Sequence, residues 1–290
     1  MPEAAPSQLP TVAVIVTVFN DGRFLDESVG SATDLQRASG DVADVSIIIA
    51  DDGSTERRTV DVLERLERRG LSVLRCRHRG LGALRNAAIR SVEADWFIPL
   101  DADNRLLPTM LANLLPTGAE SSRAALVYGD SMRFGDEEGL WHMGPTDIDR
   151  LWRENHIDSC GLIRRTTWSA VSGYNEQLVG QEDWDLWLRF LEAGFELVYV
   201  PKLTFDYRVR ADSLIRERER MSCRQPTPLT LRSPARLMPT TEGLDSGGFA
   251  HFLQGEEQPV GNGAPLLGVG GGGRGVMKRG ERYRIPQEHP

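Results

Sequence analysis

Two apolar runs of this sequence end on closely spaced aspartates, a residue type that binds divalent cations or takes up protons. SIIIADDGST, residues 46–55, contains Asp51 and Asp52, and WFIPLDADN runs into Asp101 and Asp103. Residues that favour turns follow each pair at once. The aspartates are therefore expected either to cap a helix or to face a ligand at the mouth of a sheet.

A third acidic pair, Glu182 and Asp183, begins the segment EDWDLWLRFLEAG, which has the pattern of a helix. Its residues Trp184 and Trp187 belong to an apolar stripe that is typical of a core rather than of a cofactor site. Acidic residues in a first turn are favoured by the helix dipole alone. A carboxylate on a rigid helix after the flexible Gly180 also suits a general base.

Strands and helices must alternate to position these residues. TVAVIVTVF, from Thr11, is continuously apolar, as expected of a parallel strand covered on both faces. Three further strands, separated by helical segments, predict an α/β fold with a doubly wound, mostly parallel sheet flanked by helices. The predicted strands begin near residues 11, 45, 71 and 95.

Polar clusters follow the ends of these strands, at residues 17–21, 51–54, 101–104 and 130. Ligands of open parallel sheets bind beyond the carboxyl ends of the strands, where the clusters would meet. Thr17, Asn20 and Asp52 are predicted to hold a nucleobase or a sugar there. The DDGS segment taken alone is also typical of a helix N-cap.

The D-x-D spacing of Asp101 and Asp103 would point both carboxylates to one side of an extended strand. That arrangement suits a hard divalent cation that carries a diphosphate, although many such sequences are solvated turns. Arg85 and Asn86 begin a predicted helix after a glycine loop. They would either be solvated or approach a phosphate or ribose.

Charge and composition exclude several classes of protein. A net charge of −8 and a pI near 5.3 argue against nucleic acid as a partner. No stretch approaches the ~20 apolar residues of a membrane span, and MPEAAPSQLP lacks the features of a signal peptide. Three widely spaced cysteines predict no disulfide framework or zinc cluster, so we expect a cytoplasmic protein.

Composition also divides the chain into segments. Residues 1–10 are expected to form a flexible N-terminus, and residues 221–290, rich in glycine and proline, a disordered tail. GVGGGGRG in this tail lacks the lysine and the preceding strand of a phosphate-binding loop. The folded part is therefore expected between residues 11 and 220.

With these motifs in this order, the sequence resembles the family 2 glycosyltransferases, which have the GT-A fold. The resemblance extends from about Val12 to Ser213. It implies an inverting enzyme that uses Mg²⁺ or Mn²⁺ and moves a sugar from a nucleotide sugar to a hydroxyl acceptor. Residues 11–122 would bind the nucleotide sugar and residues 123–220 the acceptor. The motifs that carry it are VIVTVFND, DDGS, LRNAAI, DADN, HIDSCGLIRR, QEDWDLWLR and YRVRADS.

The resemblance implies roles for residues on the nucleotide side. Thr17 and Asp52 would hold the nucleobase. Arg85 or Asn86 would lie near the diphosphate or ribose.

Peripheral contact with the inner face of a membrane stays open, as in relatives that carry a docking helix beyond the shared region.

The resemblance also implies the residues of the chemical step. Asp103 would ligate the metal, and Asp101 would support the metal or bind ribose. Asp183 would take the proton from the acceptor hydroxyl as its oxygen attacks the sugar carbon. Glu182 would position the acceptor.

Acceptor-side residues are expected in HIDSCGLIRR, where Asp158 could reach the acceptor and His156 is either in the site or structural. One departure from the family lies in YRVRADS, where Arg210 stands in a place at which many relatives carry histidine. The sequence therefore offers no third protein ligand for the metal, and Arg210 could contact phosphate instead.

Three alternatives compete with this interpretation. A sugar nucleotidyltransferase usually has a glycine-rich turn with Arg and Lys after its first strand, whereas this chain has FNDGR, and a dehydrogenase needs G-x-G-x-x-G there. A non-catalytic nucleotide-sugar-binding module, or a decayed transferase, is opposed by the intact acidic residues.

The resemblance favours uridine over guanosine and thymidine as the base of the donor, and it leaves carbohydrate, lipid-linked, protein and small-molecule acceptors open. Loops such as residues 134–149 usually make that choice.

Overall fold

The structure, a computed structural model, describes residues 9–178 and 180–211. The predictions of a flexible N-terminus and of a disordered tail lie almost entirely outside these residues. The helices are α1 (Gly22–Ala38), α2 (Arg57–Arg68), α3 (Leu81–Arg90), α4 (Met110–Glu120), α5 (Ile148–Leu151), α6 (Arg165–Ala170) and α7 (Glu182–Glu192). The strands are β1 (Thr11–Val18), β2 (Asp44–Asp51), β3 (Ser72–Arg75), β4 (Trp96–Asp101), β5 (Arg105–Leu106), β6 (Ala124–Gly135), β7 (Gly139–Trp141), β8 (Leu162–Arg164) and β9 (Glu196–Val209).

All nine strands join one sheet in the order β3-β2-β1-β4-β8-β6-β9-β5, with β7 paired to β6. The first four strands are parallel, which confirms the predicted α/β class. Beyond β4 the sheet is mixed, because β8 runs antiparallel to both β4 and β6. Strand β8 is only three residues long, and so short a strand leaves no pattern that sequence reasoning can detect.

The core surrounds β1, whose apolar run was the clearest strand signal. Seven of its eight residues are buried, and helices α1 and α3 both pack against it. Helix α1 approaches α2 through Gly22, where a Cβ atom would lie 2.5 Å from Thr59 Cα. The Gly22 amide donates to Thr59 Oγ1 at 2.9 Å, so this glycine fixes how α1 leaves the end of β1.

No helix in the described part of the chain is long and apolar enough to cross a membrane.

Candidate functional site

Strand register brings three of the predicted polar clusters to one sheet edge. Thr17 on β1 lies beside Asp101 on β4, and Val18 lies beside Asp51 on β2. The fourth cluster differs, because the Asp130 carboxylate contacts His142 at 3.0 Å and accepts hydrogen bonds from Tyr199 and the Met143 amide. Asp130 therefore holds β7 and β9 against β6.

Asp101, at the end of β4, contacts side chains from β1 and α3. Its Oδ1 accepts hydrogen bonds from Thr17 Oγ1 at 3.1 Å and from Arg85 Nη2 at 3.0 Å. The side chain is 37% exposed, so it also reaches solvent. Thr17 is buried and orients this carboxylate, and whether Thr17 contacts a nucleobase stays a prediction.

Arg85 connects the D-x-D segment to α7 from inside the protein. Its side chain is 2% exposed and donates to Asp101, to Glu182 Oε1 at 2.9 Å and to Ser159 Oγ at 3.2 Å. Desolvation opposes the charge, yet Asp101 and Glu182 raise the pKa of Arg85 above its ordinary value. These contacts favour a positioning role over the direct phosphate contact that we considered from the sequence.

Asn86 has a similar role one residue further along α3. Its Oδ1 accepts from the Tyr174 amide at 2.9 Å, while its Nδ2 donates to the Tyr174 carbonyl at 2.9 Å and to Glu176 at 3.0 Å. The side chain is buried. Asn86 therefore fastens the loop that leads to α7, and its approach to a ribose stays a prediction.

Asp103 lies in a turn rather than on an extended strand, because the Asn104 amide donates to the Asp101 carbonyl at 3.0 Å. Asp103 Oδ2 lies 2.8 Å from Arg210 Nε, and Arg210 Nη2 lies 2.6 Å from Asp21 Oδ2. Desolvation, then the negative charge of Asp101, raises the pKa of Asp103 to about 6, although Arg210 opposes this rise.

The D-x-D pair supplies hard oxygen ligands, but few of them. Within residues 9–178 and 180–211, no group of three or more His, Cys, Asp or Glu side chains is arranged to hold a metal ion. Arg85 contacts one oxygen of Asp101, and Arg210 contacts one oxygen of Asp103. The two carboxylates fit a cation that draws its remaining ligands from a phosphate and water.

Asp52 contacts the loop between β3 and α3. Its two oxygens accept hydrogen bonds from the Arg79 and Gly80 amides, each at 3.0 Å, and Oδ2 also lies 2.8 Å from His78 Nδ1. Gly53 allows this approach, since its φ is +77° and a Cβ atom would lie 3.0 Å from the His78 amide. Asp52 thus positions the loop, and its direct contact with a nucleobase stays a prediction.

Asn20 holds the segment between β2 and α2 against the end of β1. It has a positive φ of 51°, and its Oδ1 accepts from the amides of Thr55 and Glu56 at 2.8 and 2.9 Å. Beside it, Phe19 is 44% exposed and stacks on His78 with 4.2 Å between ring centroids. Sequence reasoning missed Phe19, although an aromatic residue directly after a strand end was a signal.

Asp183 and Glu182 begin α7 after two residues in left-handed conformation, Gly180 and Gln181. The Glu182 side chain is 5% exposed and pairs with Arg85, and its role in positioning the acceptor stays a prediction. Asp183 is half-buried and accepts from Asn155 Nδ2 at 3.0 Å and from the Trp184 amide at 2.8 Å. Desolvation, then the charge of Glu182, raises the pKa of Asp183 to about 6.

Asp158 lies close enough to Asp101 and Asp183 for their negative charges to act on its carboxyl group. Its Oδ1 accepts from the Cys160 amide at 2.8 Å. Desolvation, followed by the charge of Asp101, raises the pKa of Asp158 to about 7. His156 is buried, and burial lowers its pKa, while neither ring nitrogen has a hydrogen-bond partner among the described residues, so both predicted alternatives for this histidine stay open.

Replacing Asp158 with asparagine is expected to stabilise the protein above neutral pH. Between pH 4 and 7 the native carboxyl keeps a proton that the unfolded chain releases, so the unfolding free energy of the parent falls as pH rises. Asparagine keeps an oxygen for the Cys160 amide and carries no charge. Because Asp158 is half-buried, we expect the gain at pH 8 to exceed the gain at pH 4.5 by about 1–2 kcal/mol.

Denaturant unfolding at the two pH values measures this gain. Asp149→Asn, at an exposed position on α5, is the control. A gain of the same size at both pH values would contradict the raised pKa of Asp158.

Known proteins resemble the region of the chain that contains most of the residues described above. The model of glycosyl transferase family 2 matches residues 13–179, more than half of the sequence. The chain is 23% identical over 200 residues to chondroitin synthase of Escherichia coli, which covers 66% of this chain and 28% of that protein. It is 22% identical over 212 residues to an uncharacterized glycosyltransferase of Methanocaldococcus jannaschii, with 69% and 71% covered. The chain thus spans less than a third of the chondroitin synthase.

Solved structures show a similar architecture. The mannosyltransferase from Pyrobaculum calidifontis in complex with GDP-Man and Mn²⁺ superimposes with a TM-score of 0.57 at 16% identity, covering 75% of this chain and 62% of that one. Residues 1–349 of S. aureus TarS in complex with UDP-GlcNAc give a TM-score of 0.56 at 16% identity, with 70% and 60% covered. At this level of identity the likeness shows a shared fold.

Proposed function

The chain belongs to glycosyl transferase family 2 and has the predicted GT-A fold, and we propose that it transfers a sugar from a nucleoside-diphosphate sugar to an acceptor hydroxyl with inversion at the sugar carbon. The observation that carries this proposal is the connection between the D-x-D segment and the start of α7. Asp101 and Glu182 share the buried guanidinium of Arg85, and Asp183 follows Glu182 directly. The proposed cation site and the proposed proton acceptor are thereby connected through one buried side chain.

The nucleotide side of the proposal involves the ends of β1 and β2. The exposed ring of Phe19 offers a stacking surface for a base beside the loop that Asp52 holds. Thr17 and Asn20 lie at the same strand end. Among the bases, the family resemblance favours uridine, and the two solved relatives described above bind GDP-Man and UDP-GlcNAc respectively.

Asp101 and Asp103 would hold a divalent cation, Mg²⁺ or Mn²⁺, together with the diphosphate. When bound, such an ion supplies positive charge that stabilises the departing diphosphate. Arg85 does not share that task, because its guanidinium lies inside and contacts Asp101, Glu182 and Ser159. Arg85 and Asn86 instead keep the D-x-D turn and α7 at a fixed separation.

In the proposed reaction Asp183 accepts the proton of the acceptor hydroxyl. The hydroxyl oxygen forms a bond to the anomeric carbon from the face opposite the diphosphate, and the bond from that carbon to the diphosphate oxygen breaks. A pKa of about 6 leaves Asp183 ionised at neutral pH and still basic enough to take a proton. Asp158 is the proposed contact for the acceptor, a carbohydrate, lipid-linked or small-molecule hydroxyl.

Binding of nucleoside diphosphates tests the proposal. We expect calorimetry to show that one of UDP, GDP and dTDP binds more tightly in the presence of Mn²⁺. Asp103→Ala should weaken that binding by at least about tenfold, because it removes a ligand oxygen. Asp34→Ala, at an exposed position on α1, is the matched control and should bind like the parent. A folded chain that binds none of the three nucleotides would refute the proposed function.

A further inference from the structure

Arg210 bridges two carboxylates that belong to different strand ends. Its Nε lies 2.8 Å from Asp103 Oδ2, and its Nη2 lies 2.6 Å from Asp21 Oδ2. Its guanidinium also lies 5.4 Å from the centre of the Phe24 ring. One cation therefore joins the D-x-D turn to the segment that follows β1.

Hydrogen bonds hold the end of β9 in this position. The Arg208 amide donates to Asn104 Oδ1 at 2.9 Å, and Arg208 Nε donates to the Asp103 carbonyl at 3.0 Å. Asn104 is buried. The backbone two residues before Arg210 is thus fastened to the D-x-D turn. These hydrogen bonds keep Arg210 beside Asp103.

Charge at this edge explains what such an arginine can do. Asp21, Asp101 and Asp103 converge there, and the described residues provide no third side chain arranged to hold a metal with the D-x-D pair. A guanidinium presents several N–H groups in one plane and matches the oxygens of a phosphate. Arg210 therefore has the chemistry to stabilise either Asp103 or a diphosphate bound beside it.

We propose that Arg210 binds the diphosphate of the sugar nucleotide and leaves Asp103 when a divalent cation takes that carboxylate. The inference rests on the proposed function, since it concerns the same nucleotide site. In the absence of metal, the contact with Arg210 neutralises Asp103. Once the cation binds Asp103, the guanidinium turns to the phosphate oxygens, and β9 keeps it within reach of them.

This arrangement has two consequences of opposite sign. Arg210 competes with the metal for Asp103, so removing the guanidinium makes the carboxylate more available to a cation. Arg210 also contributes to binding of the diphosphate, so removing the guanidinium lowers the affinity of the protein for the nucleotide. A residue with a merely structural role would not move the two affinities in opposite directions.

Arg210→Gln is the decisive variant, and Arg105→Gln is its matched control. Arg105 likewise bridges two carboxylates, at 3.0 Å from Glu27 and 2.9 Å from Asp206, but these two acids lie outside the D-x-D pair. In Arg210→Gln we expect Mn²⁺ alone to bind at least about threefold more tightly, since a competing cation is gone. At saturating Mn²⁺, where the cation has taken Asp103, the nucleoside diphosphate that binds the parent should bind Arg210→Gln ~10- to 100-fold more weakly, the usual effect of losing charged hydrogen bonds.

The corresponding nucleoside, which lacks the phosphates, should bind Arg210→Gln and the parent equally. Arg210→Lys keeps the charge without the planar set of N–H groups and should give an intermediate loss of diphosphate binding. Equal losses for the nucleoside and the diphosphate, or an unchanged diphosphate affinity, would overturn the role of Arg210 while leaving the proposed function intact. Failure of the parent to bind any nucleoside diphosphate would instead overturn both.

Discussion

Asp183→Asn is expected to lower the turnover of the sugar nucleotide by about 10²- to 10⁴-fold, the usual contribution of a general base. Asparagine has nearly the same shape and keeps an oxygen for the Trp184 amide. It cannot accept the proton of an acceptor hydroxyl. Binding of the nucleoside diphosphate should stay within about twofold of the parent, because the proposed role of Asp183 concerns the acceptor.

Release of the nucleoside diphosphate, with water or a sugar as the attacking hydroxyl, measures this loss. In the parent, turnover should rise with pH through about 6 and then level off, because the carboxyl must lose its proton before it can accept another. Asp183→Asn should lack that rise.

Asp185→Asn is the matched control on the same helical turn. Asp185 pairs with Arg189 at 2.7 Å and has no role in the proposed chemistry, so the variant should turn over like the parent. Unchanged turnover in Asp183→Asn would remove Asp183 from the role of base. Nucleotide binding without any turnover in the parent would favour a non-catalytic binding module.

Arg85→Met is expected to lower the free energy of unfolding by about 3–5 kcal/mol, the usual effect of breaking a buried ion pair. The variant leaves the Glu182 carboxylate, only 5% exposed, without its cation. It also removes the hydrogen bonds that orient Asp101 and Ser159. Methionine fills much of the same volume, so the loss reports charge more than packing.

Denaturant unfolding of Arg90→Met provides the control. Arg90 lies on the same helix and pairs with Glu176 at 3.4 Å, but its side chain is 57% exposed, so we expect a loss below about 1 kcal/mol. Adding Glu182→Gln to Arg85→Met should recover part of the larger loss, because glutamine leaves no buried charge behind. Equal losses for the two arginine variants would contradict the buried ion pair.

Strands β1, β2 and β4 could be predicted from the sequence because their apolar runs are long and end on turn-forming residues, whereas β3 was predicted from the short run LSVLRC between two helical segments. Helices α1 and α2 begin within a few residues of the strand ends that precede them, at Gly22 and Arg57. Strands β5, β7 and β8 have two or three residues each, too few for a periodic pattern. Their existence follows from pairing with longer strands, which sequence alone does not reveal.

The candidate site was predicted as a set of residues but not as a set of contacts. Chain order and strand ends placed Thr17, Asp52 and Asp101 near one edge. The partners of Arg85 and Asn86 could not be predicted, because nothing singled out Ser159 within the HIDSCGLIRR motif and Tyr174 lies in no motif. Polar side chains that sequence reasoning assigns to a ligand often hold one another in this fold, and Arg85 is the clearest example.

The buried pair of Arg85 and Glu182 also constrains how the nascent chain reaches its native state. The two residues are 97 positions apart, and Asn86 and Tyr174 are 88 apart. At ~5–20 residues per second, synthesis of the intervening segment takes on the order of 5–20 s. During that interval Arg85 has no Glu182 to pair with, and burying it unpaired would be costly. The half of the protein made first therefore completes its packing only after α7 has been synthesised.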